Sequence, residues 1–265
     1  NLGGLEVSTR SDYYLLLVMK IPLYLALSML TWKLSSATVG LLSPSSAMLV
    51  YIILVSILGY DIWSTYRANH RLFNNQIEVH DHYEFKQVAV LNVLYFATFG
   101  SELAVVSMLP IFFAETFSLD LIVAGLVAST YAFMNLMSRP GGGWLSDRYG
   151  RKRTLLLLTT GLAIGYAAMS TINSQWPLYL AVICTMLCSF FVQAGEGAVF
   201  SIVPLIKRRL TGQIAGLTGA YGNVGAVFYL TMLTSLTYAE FFILMSSTAV
   251  LGLVTLLLLR EPQGH

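Results

Sequence analysis

The sequence predicts an all-α polytopic membrane protein of about eight transmembrane helices, the last six forming one complete bundle. Three observations carry this expectation. Of 265 residues, 56% are hydrophobic and only 11% are charged, whereas a soluble domain gives roughly a quarter of its residues to Asp, Glu, Lys and Arg. With a mean hydropathy of +0.71 the chain cannot cover itself with a solvated surface, so its apolar excess faces lipid. The apolar residues fall in runs long enough to cross a hydrocarbon layer of ~30 Å as helices, and the basic residues gather in alternate loops between those runs. A transmembrane β-barrel would need short alternating segments, which are absent.

The runs follow one another in a regular order. A polar stretch through Asp12, carrying Arg10, leads into Tyr13–Leu34, with Lys33 at its far end. Ser45–Tyr66 returns to a long polar segment, Arg67 to Gln87, that holds Arg67, Arg71 and Lys86. Val88–Ala114 and Leu121–Trp144 are joined on the opposite side by a loop with Glu115 and Asp120, and Arg148, Arg151, Lys152 and Arg153 follow. Thr154–Ile172 and Trp176–Leu205 lead to Lys207, Arg208 and Arg209; Gly212–Leu236 and Glu240–Leu259 lead to Arg260. By the positive-inside rule the basic side is cytoplasmic, which puts both chain ends and the central loop there, in a plasma (inner) membrane. The domain reading is two helices in 1–66, a cytoplasmic central loop in 67–87, a six-helix half in 88–259 and a short tail in 260–265; six spans is the size of half a transporter built from two repeats.

Several features carry little chemistry. A net charge of +2 gives no case for nucleic-acid binding. Cys184 and Cys188, four apart in an apolar run, read as buried small residues, not as a metal or disulfide pair. His80, Asp81 and His82 could suggest a metal site, but no further ligand has suitable spacing, so a solvated loop is favoured and no metal or cofactor is expected. The chain opens on Asn1 with no cleavable leader, which leads us to expect a fragment lacking its N-terminal portion.

Ionisable groups inside apolar spans are costly, by about 2.5–3.5 kcal/mol or more for Arg at a helix centre. Glu102, Arg139 and Glu196 stand out; Lys20 could snorkel towards the cytoplasmic end of the first span. Arg139 precedes Asp147 by eight residues, so it lies ~12 Å along the helix from the basic loop, too deep to snorkel easily. Ala128, Ala132 and Asn135 share its face. Two readings compete for Arg139: an ion pair with Glu102 or Glu196 on a facing helix, or an anion site built on its forked donors. In the third span Asn92, Tyr95, Phe99, Glu102 and Val106 fall within about 80° on a helical wheel, a cavity-lining face. In the seventh, Gly212, Gly216, Gly219 and Asn223 form one stripe, with Gly222 and Gly225 nearby, suited to close backbone approach.

The loop Gly143-Trp-Leu-Ser-Asp147-Arg148-Tyr-Gly150-Arg151-Lys152-Arg153 resembles the signature loop of the major facilitator superfamily. There the Asp caps a neighbouring helix and the basic residues hold a cytoplasmic gate. More specifically, Gly216-Leu-Thr-Gly219-Ala-Tyr-Gly222-Asn223-Val-Gly225-Ala is similar to the glycine-rich signature of the nitrate/nitrite porter family. Phe191 to Phe200 and Ser138-Arg139-Pro140-Gly141-Gly142-Gly143 resemble the same family, in its cyanobacterial nitrate permease form.

The resemblance implies an anion held between Arg139 and a second arginine from the first half of the transporter, with Tyr95 and Phe99 bracketing it. It further implies that Gly219, Gly222, Asn223 and Gly225 let the two halves approach and touch substrate. The family has six helices in this half, so the two preceding spans are either the fifth and sixth helices of the first half or an inserted hairpin. The implied function is uptake of nitrate, and also nitrite, for nitrate assimilation by alternating access, coupled to protons or to anion exchange. Glu102 and Glu196 are candidate proton carriers, and the partners are the anion, protons, the bilayer and the missing N-terminal half. A facilitator for a sugar or drug, or a non-transporting sensor of the same fold, are the alternatives. An enzyme is not expected, since no metal motif or Ser/His/Asp constellation is present.

Overall fold

The computed structural model describes residues 4–35, 38–73 and 83–261; the His80, Asp81 and His82 group lies outside them. Long helices stand at each predicted span: α1 (Arg10–Leu34), α2 (Pro44–Ala68), α4 (Phe85–Phe117), α5 (Leu121–Phe133) with α6 (Asn135–Tyr149), α7 (Arg151–Met169), α8 (Leu178–Ile206), α9 (Thr211–Leu233) and α10 (Tyr238–Leu256). A short α3 (His70–Phe73) follows α2. Within the predicted central loop of 67–87, α2 runs on to Ala68, α3 takes His70–Phe73 and α4 begins at Phe85. The expected single span Leu121–Trp144 is interrupted at Met134, whose backbone stays near helical geometry (φ −58°, ψ −24°), so α5 and α6 continue in one direction.

Six segments among the described residues are long and apolar enough to cross a membrane: α1, α2, α4, α5 with α6, α8 and α10. The eight predicted spans are therefore six of this kind plus two less apolar helices. α7 opens on Arg151, Lys152 and Arg153, and α9 carries five glycines with Gln213 and Asn223. The helix starts are written locally in the sequence. Thr9, Ser43 and Asp120 accept from backbone N–H groups of the first turns of α1, α2 and α5, and Thr237 and Glu240 form a reciprocal capping box on α10, satisfying donors that a helix leaves open.

α4 is the central helix. It packs along α9 and against α5, α8, α10 and α1, while α6 lies on α8 and α7 lies between α8 and α10. Two apolar clusters fill the bundle. One includes Phe85, Val88, Leu91, Leu155, Ala198 and Ile202; the other includes Met108, Phe112, Tyr131, Tyr166, Val192 and Phe242. The outer faces of the helices remain apolar and exposed, as at Ile122, Leu126, Leu136, Met137 and Leu157, which is the arrangement lipid requires. The chain is an integral membrane protein.

α1 and α2 form a hairpin that reaches the bundle through α1, where the Tyr221 hydroxyl donates to the Met19 carbonyl at 2.5 Å. The expectation that Lys20 snorkels is corrected. Lys20 is buried, and its Nζ meets Asp61 Oδ1 at 2.5 Å and Thr65 Oγ1 at 2.6 Å, with Tyr24 donating to Asp61 Oδ2 at 3.1 Å. A carboxylate on the neighbouring helix satisfies the ammonium locally, so the side chain does not extend to the helix end.

The basic loops meet at one end of the bundle. Glu6 pairs with Arg209, Tyr83 donates to the Glu6 carbonyl at 2.6 Å, and the Asn69 side chain clamps Leu5 and Val7. Arg260 pairs with Glu84. The alternation seen in the sequence is thus a physical end of the molecule.

Candidate functional site

The site begins with two glycines. A Cβ on Gly142 of α6 would strike the Ala194 backbone of α8, at 2.6 Å from Cα, and a Cβ on Gly197 would strike the Arg139 carbonyl. Only glycine at both positions lets α6 and α8 touch backbone to backbone. That contact brings Arg139 and Glu196 together.

Arg139 Nη2 pairs with Glu196 Oε2 and donates to the Tyr95 hydroxyl at 3.0 Å. Its guanidinium also sits 5.7 Å from the centre of the Phe99 ring, within the range of cation–π attraction. The two partners differ in access: the Glu196 side chain is fully buried, whereas the Arg139 side chain is 38% exposed. Arg139 therefore keeps open donor positions on the side away from Glu196. The ion pair to a facing helix is thus present, and the rest of the fork is accessible.

Behind this pair lies a polar layer. Glu102 is buried beside Glu196, and its Oε1 accepts from Asn135 Nδ2 at 2.9 Å and from Gln193 Nε2 at 3.2 Å. Gln193 Nε2 also reaches the Tyr131 carbonyl at 3.3 Å. Three helical segments, α4, α6 and α8, each contribute two of these six polar residues: Tyr95 and Glu102, Asn135 and Arg139, Gln193 and Glu196. The layer stands between the two apolar clusters, since on α4 one cluster ends at Tyr95 and the other begins at Ala104.

Aromatic rings wall the site. Tyr95 and Phe99 stack at 5.1 Å with an interplanar angle of 8°, and Phe200 meets Tyr95 edge-on at 4.9 Å. Gly222 of α9 backs this pair: a Cβ there would come to 2.5 Å from Phe99 Cδ1 and 2.8 Å from Tyr95 Cδ1. Gly225 makes room for α4 itself, where a Cβ on Gly100 would lie 2.6 Å from Gly225 Cα.

Other expectations need correction. Asn92 does not line a cavity; it is wholly buried and its Oδ1 accepts from Thr218 of α9 at 2.9 Å, because its part of the face turns into the α4–α9 contact. Val106, by contrast, is 40% exposed. The stripe Gly212, Gly216 and Gly219 has nothing within 4 Å of an added Cβ among the described residues. Asn223 is exposed and donates to the Gly219 carbonyl of its own helix at 3.2 Å. The close packing within this chain thus uses Gly222 and Gly225, the neighbouring face, and leaves the expected stripe open.

The basic loop is also arranged differently from its motif. Gly150, at φ +96°, turns α6 directly into α7. Asp147 accepts from Arg151 at 3.0 Å instead of capping a helix. The carboxylate at the start of α7 is Glu261, which accepts from the backbone N–H of Arg151 at 2.6 Å and of Lys152 at 3.1 Å. Lys152 Nζ then reaches the carbonyls of Leu257 and Leu259, and Arg148 lies over Trp144 at 5.5 Å. Gly143 sits where α6 nears Gly197, 3.6 Å from an added Cβ to its carbonyl oxygen.

Gln193, Phe200 and Asp61 were not singled out as site residues by the sequence, and Asn135 entered only as a neighbour of Arg139. A signal existed for two of them. Gln193, Glu196 and Phe200 follow at intervals of three and four, one stripe of α8.

A Major Facilitator Superfamily model matches residues 91–265. The chain is 52% identical over 240 residues to the nitrate/nitrite transporter NrtP of Picosynechococcus sp., covering 89% of this chain and 45% of that protein. It is 40% identical over 266 residues to NrtP of Nostoc punctiforme, covering 99% and 53%. Similarity to high-affinity nitrate transporter 2.3 of Oryza sativa subsp. japonica is 40% over 145 residues, covering 52% and 28%. The chain spans about half the length of the two NrtP relatives.

Proposed function

Since this chain belongs to the major facilitator superfamily and is similar to nitrate/nitrite transporters, we propose that it supplies one half of the anion site of a transporter that takes up nitrate, and also nitrite, by alternating access. The chain is not an enzyme. The observation that carries the proposal is the half-exposed Arg139, fixed on one side by Glu196 and Tyr95 and open on the other.

Nitrate is planar and singly charged. A guanidinium offers coplanar donors that match its oxygens, and the Tyr95, Phe99 and Phe200 rings present dry walls beside it. A single arginine in this environment would hold an anion only weakly against its own carboxylate partner, so a second cation from the other half of the transporter completes the clamp. The open stripe of Gly212, Gly216 and Gly219 is the surface against which that half would close, with Asn223 on the same stripe. The basic end faces the cytoplasm of a plasma (inner) membrane, where Asp147, Arg148, Arg151 and Lys152 hold the gate together with Glu261.

Uptake of an anion against a negative interior costs ~2.3 kcal/mol per charge per 100 mV, so it needs a proton or an exchanged anion, and Glu102 and Glu196 are the acidic groups at hand. The test is transport by the full-length protein carrying this chain, reconstituted in liposomes. Labelled nitrate should accumulate, unlabelled nitrate and nitrite should compete with it, and a neutral sugar should not. Sugar uptake without nitrate uptake would replace this reading with that of a general facilitator.

A further inference from the structure

In the unliganded site Glu196 holds the Arg139 guanidinium from the side opposite the exposed donors that an incoming oxyanion would reach. Its carboxylate is fully buried and meets the guanidinium as an ion pair through Oε2, and among the described residues no N–H or O–H is aligned as a hydrogen-bond donor on either oxygen. The groups that face it are Arg139 from α6 and Glu102 and Tyr95 from α4. Among the described residues, α5, α7 and α9, which also pack on α8, bring it no cation. Arg139 is thus the single positive charge available to Glu196 among the described residues, and Glu102 beside it is an acid already held by Asn135 and Gln193.

Resting on the nitrate reading, we infer that Glu196 is a built-in competitor for the anion on Arg139 and takes up one proton when the anion displaces it. The charge balance is simple. Before binding, the guanidinium and the Glu196 carboxylate cancel. A nitrate that takes over the guanidinium leaves a buried carboxylate without a counter-ion, a state that buried acids avoid by protonation. The proton comes from the aqueous solution and ends on a Glu196 oxygen, so one anion and one proton enter together and the net charge of the layer does not change. By reciprocity, each then binds more tightly in the presence of the other. The same exchange run backwards returns the carboxylate to Arg139 and ejects the anion, which gives the empty transporter a paired Arg139 with which to reorient. Glu102 keeps its amide partners throughout and acts as the fixed acid that makes a second unpaired carboxylate unfavourable.

The experiment is calorimetric titration of nitrate into the purified full-length transporter in two buffers of different ionisation heat. The unmutated protein should take up about one proton per nitrate, with nitrate Kd rising about tenfold per pH unit across the range where the proton is acquired. Glu196→Gln should bind nitrate as tightly or more tightly, with no proton uptake and a flat pH profile. Nitrate binding without proton uptake, or uptake unchanged in Glu196→Gln, overturns the inference and leaves the nitrate site standing. No nitrate binding by the unmutated protein removes both. Should Glu196→Gln fail to fold, infrared difference spectra of the unmutated protein decide: nitrate must bring in a protonated-carboxyl C=O band at the expense of carboxylate bands, and its absence overturns the inference.

Discussion

The Tyr95 hydroxyl accepts from Arg139 Nη2 at 3.0 Å, tying the central helix α4 to the second turn of α6, just past the break at Met134. This bond and the ion pair to Glu196 leave the guanidinium few orientations. Tyr95→Phe removes the bond and keeps the ring stacked on Phe99. Loss of a hydrogen bond to a charged group costs about 1.5–3 kcal/mol where it is fully expressed. Nitrate affinity should fall by about tenfold or more with nearly unchanged thermal stability, measured by binding and by unfolding in detergent. Equal affinity would mean that Tyr95 does not orient the fork.

Close approach of α4 and α9 gives a stability prediction. Gly225→Ala puts a Cβ against the Phe96 carbonyl and Gly100, an overpacking that costs about 1–3 kcal/mol. The melting temperature should drop, whereas Gly59→Ala, at an open position of α2, should be neutral or slightly stabilising. Equal melting of both variants would contradict the packing.

The Lys20–Asp61 pair makes a similar case for the hairpin. Asp61→Leu strands a buried ammonium and should destabilise by about 3 kcal/mol, while Lys20→Met combined with Asp61→Leu should recover most of the loss. A double variant as unstable as the single one would show that the pair is not the cause.

Glu261→Gln removes the charge that accepts from the α7 amides. Hydrogen exchange at Arg151 and Lys152 should speed up several-fold, consistent with a cap contribution of about 0.5–1 kcal/mol. Transport at saturating nitrate should persist. Unchanged exchange would contradict the capping role.

The helices were legible because apolar length is a direct physical demand of the bilayer, and six of the predicted runs fall on segments long and apolar enough to cross it. Glu102, Arg139 and Glu196 were legible for the same reason, since a charge in an apolar run must have a purpose. Asp61 was equally visible in principle. It lies near the end of its run, where a charge can pass as part of the following loop. What the sequence could not decide was which glycines face which neighbour. Gly219 and Gly222 share one motif, yet one faces open space and the other the Tyr95 and Phe99 rings, and only the rotation of α9 against α4 sets them apart. The pairing of Arg139 with Glu196, not Glu102, likewise depends on Gly142 and Gly197 drawing α6 onto α8. The capping carboxylate came from Glu261, about 110 residues beyond Arg151, a distance no local motif can report.

The central claim is that Arg139 binds the anion through its forked donors. It is tested most directly by nitrate titration of the full-length transporter against its Arg139→Lys variant, with both shown to be folded and membrane-inserted. Lysine keeps the charge and loses the planar fork, so nitrate affinity should fall at least about tenfold while thermal stability changes little. A variant that binds nitrate as tightly as the unmutated protein would contradict the account.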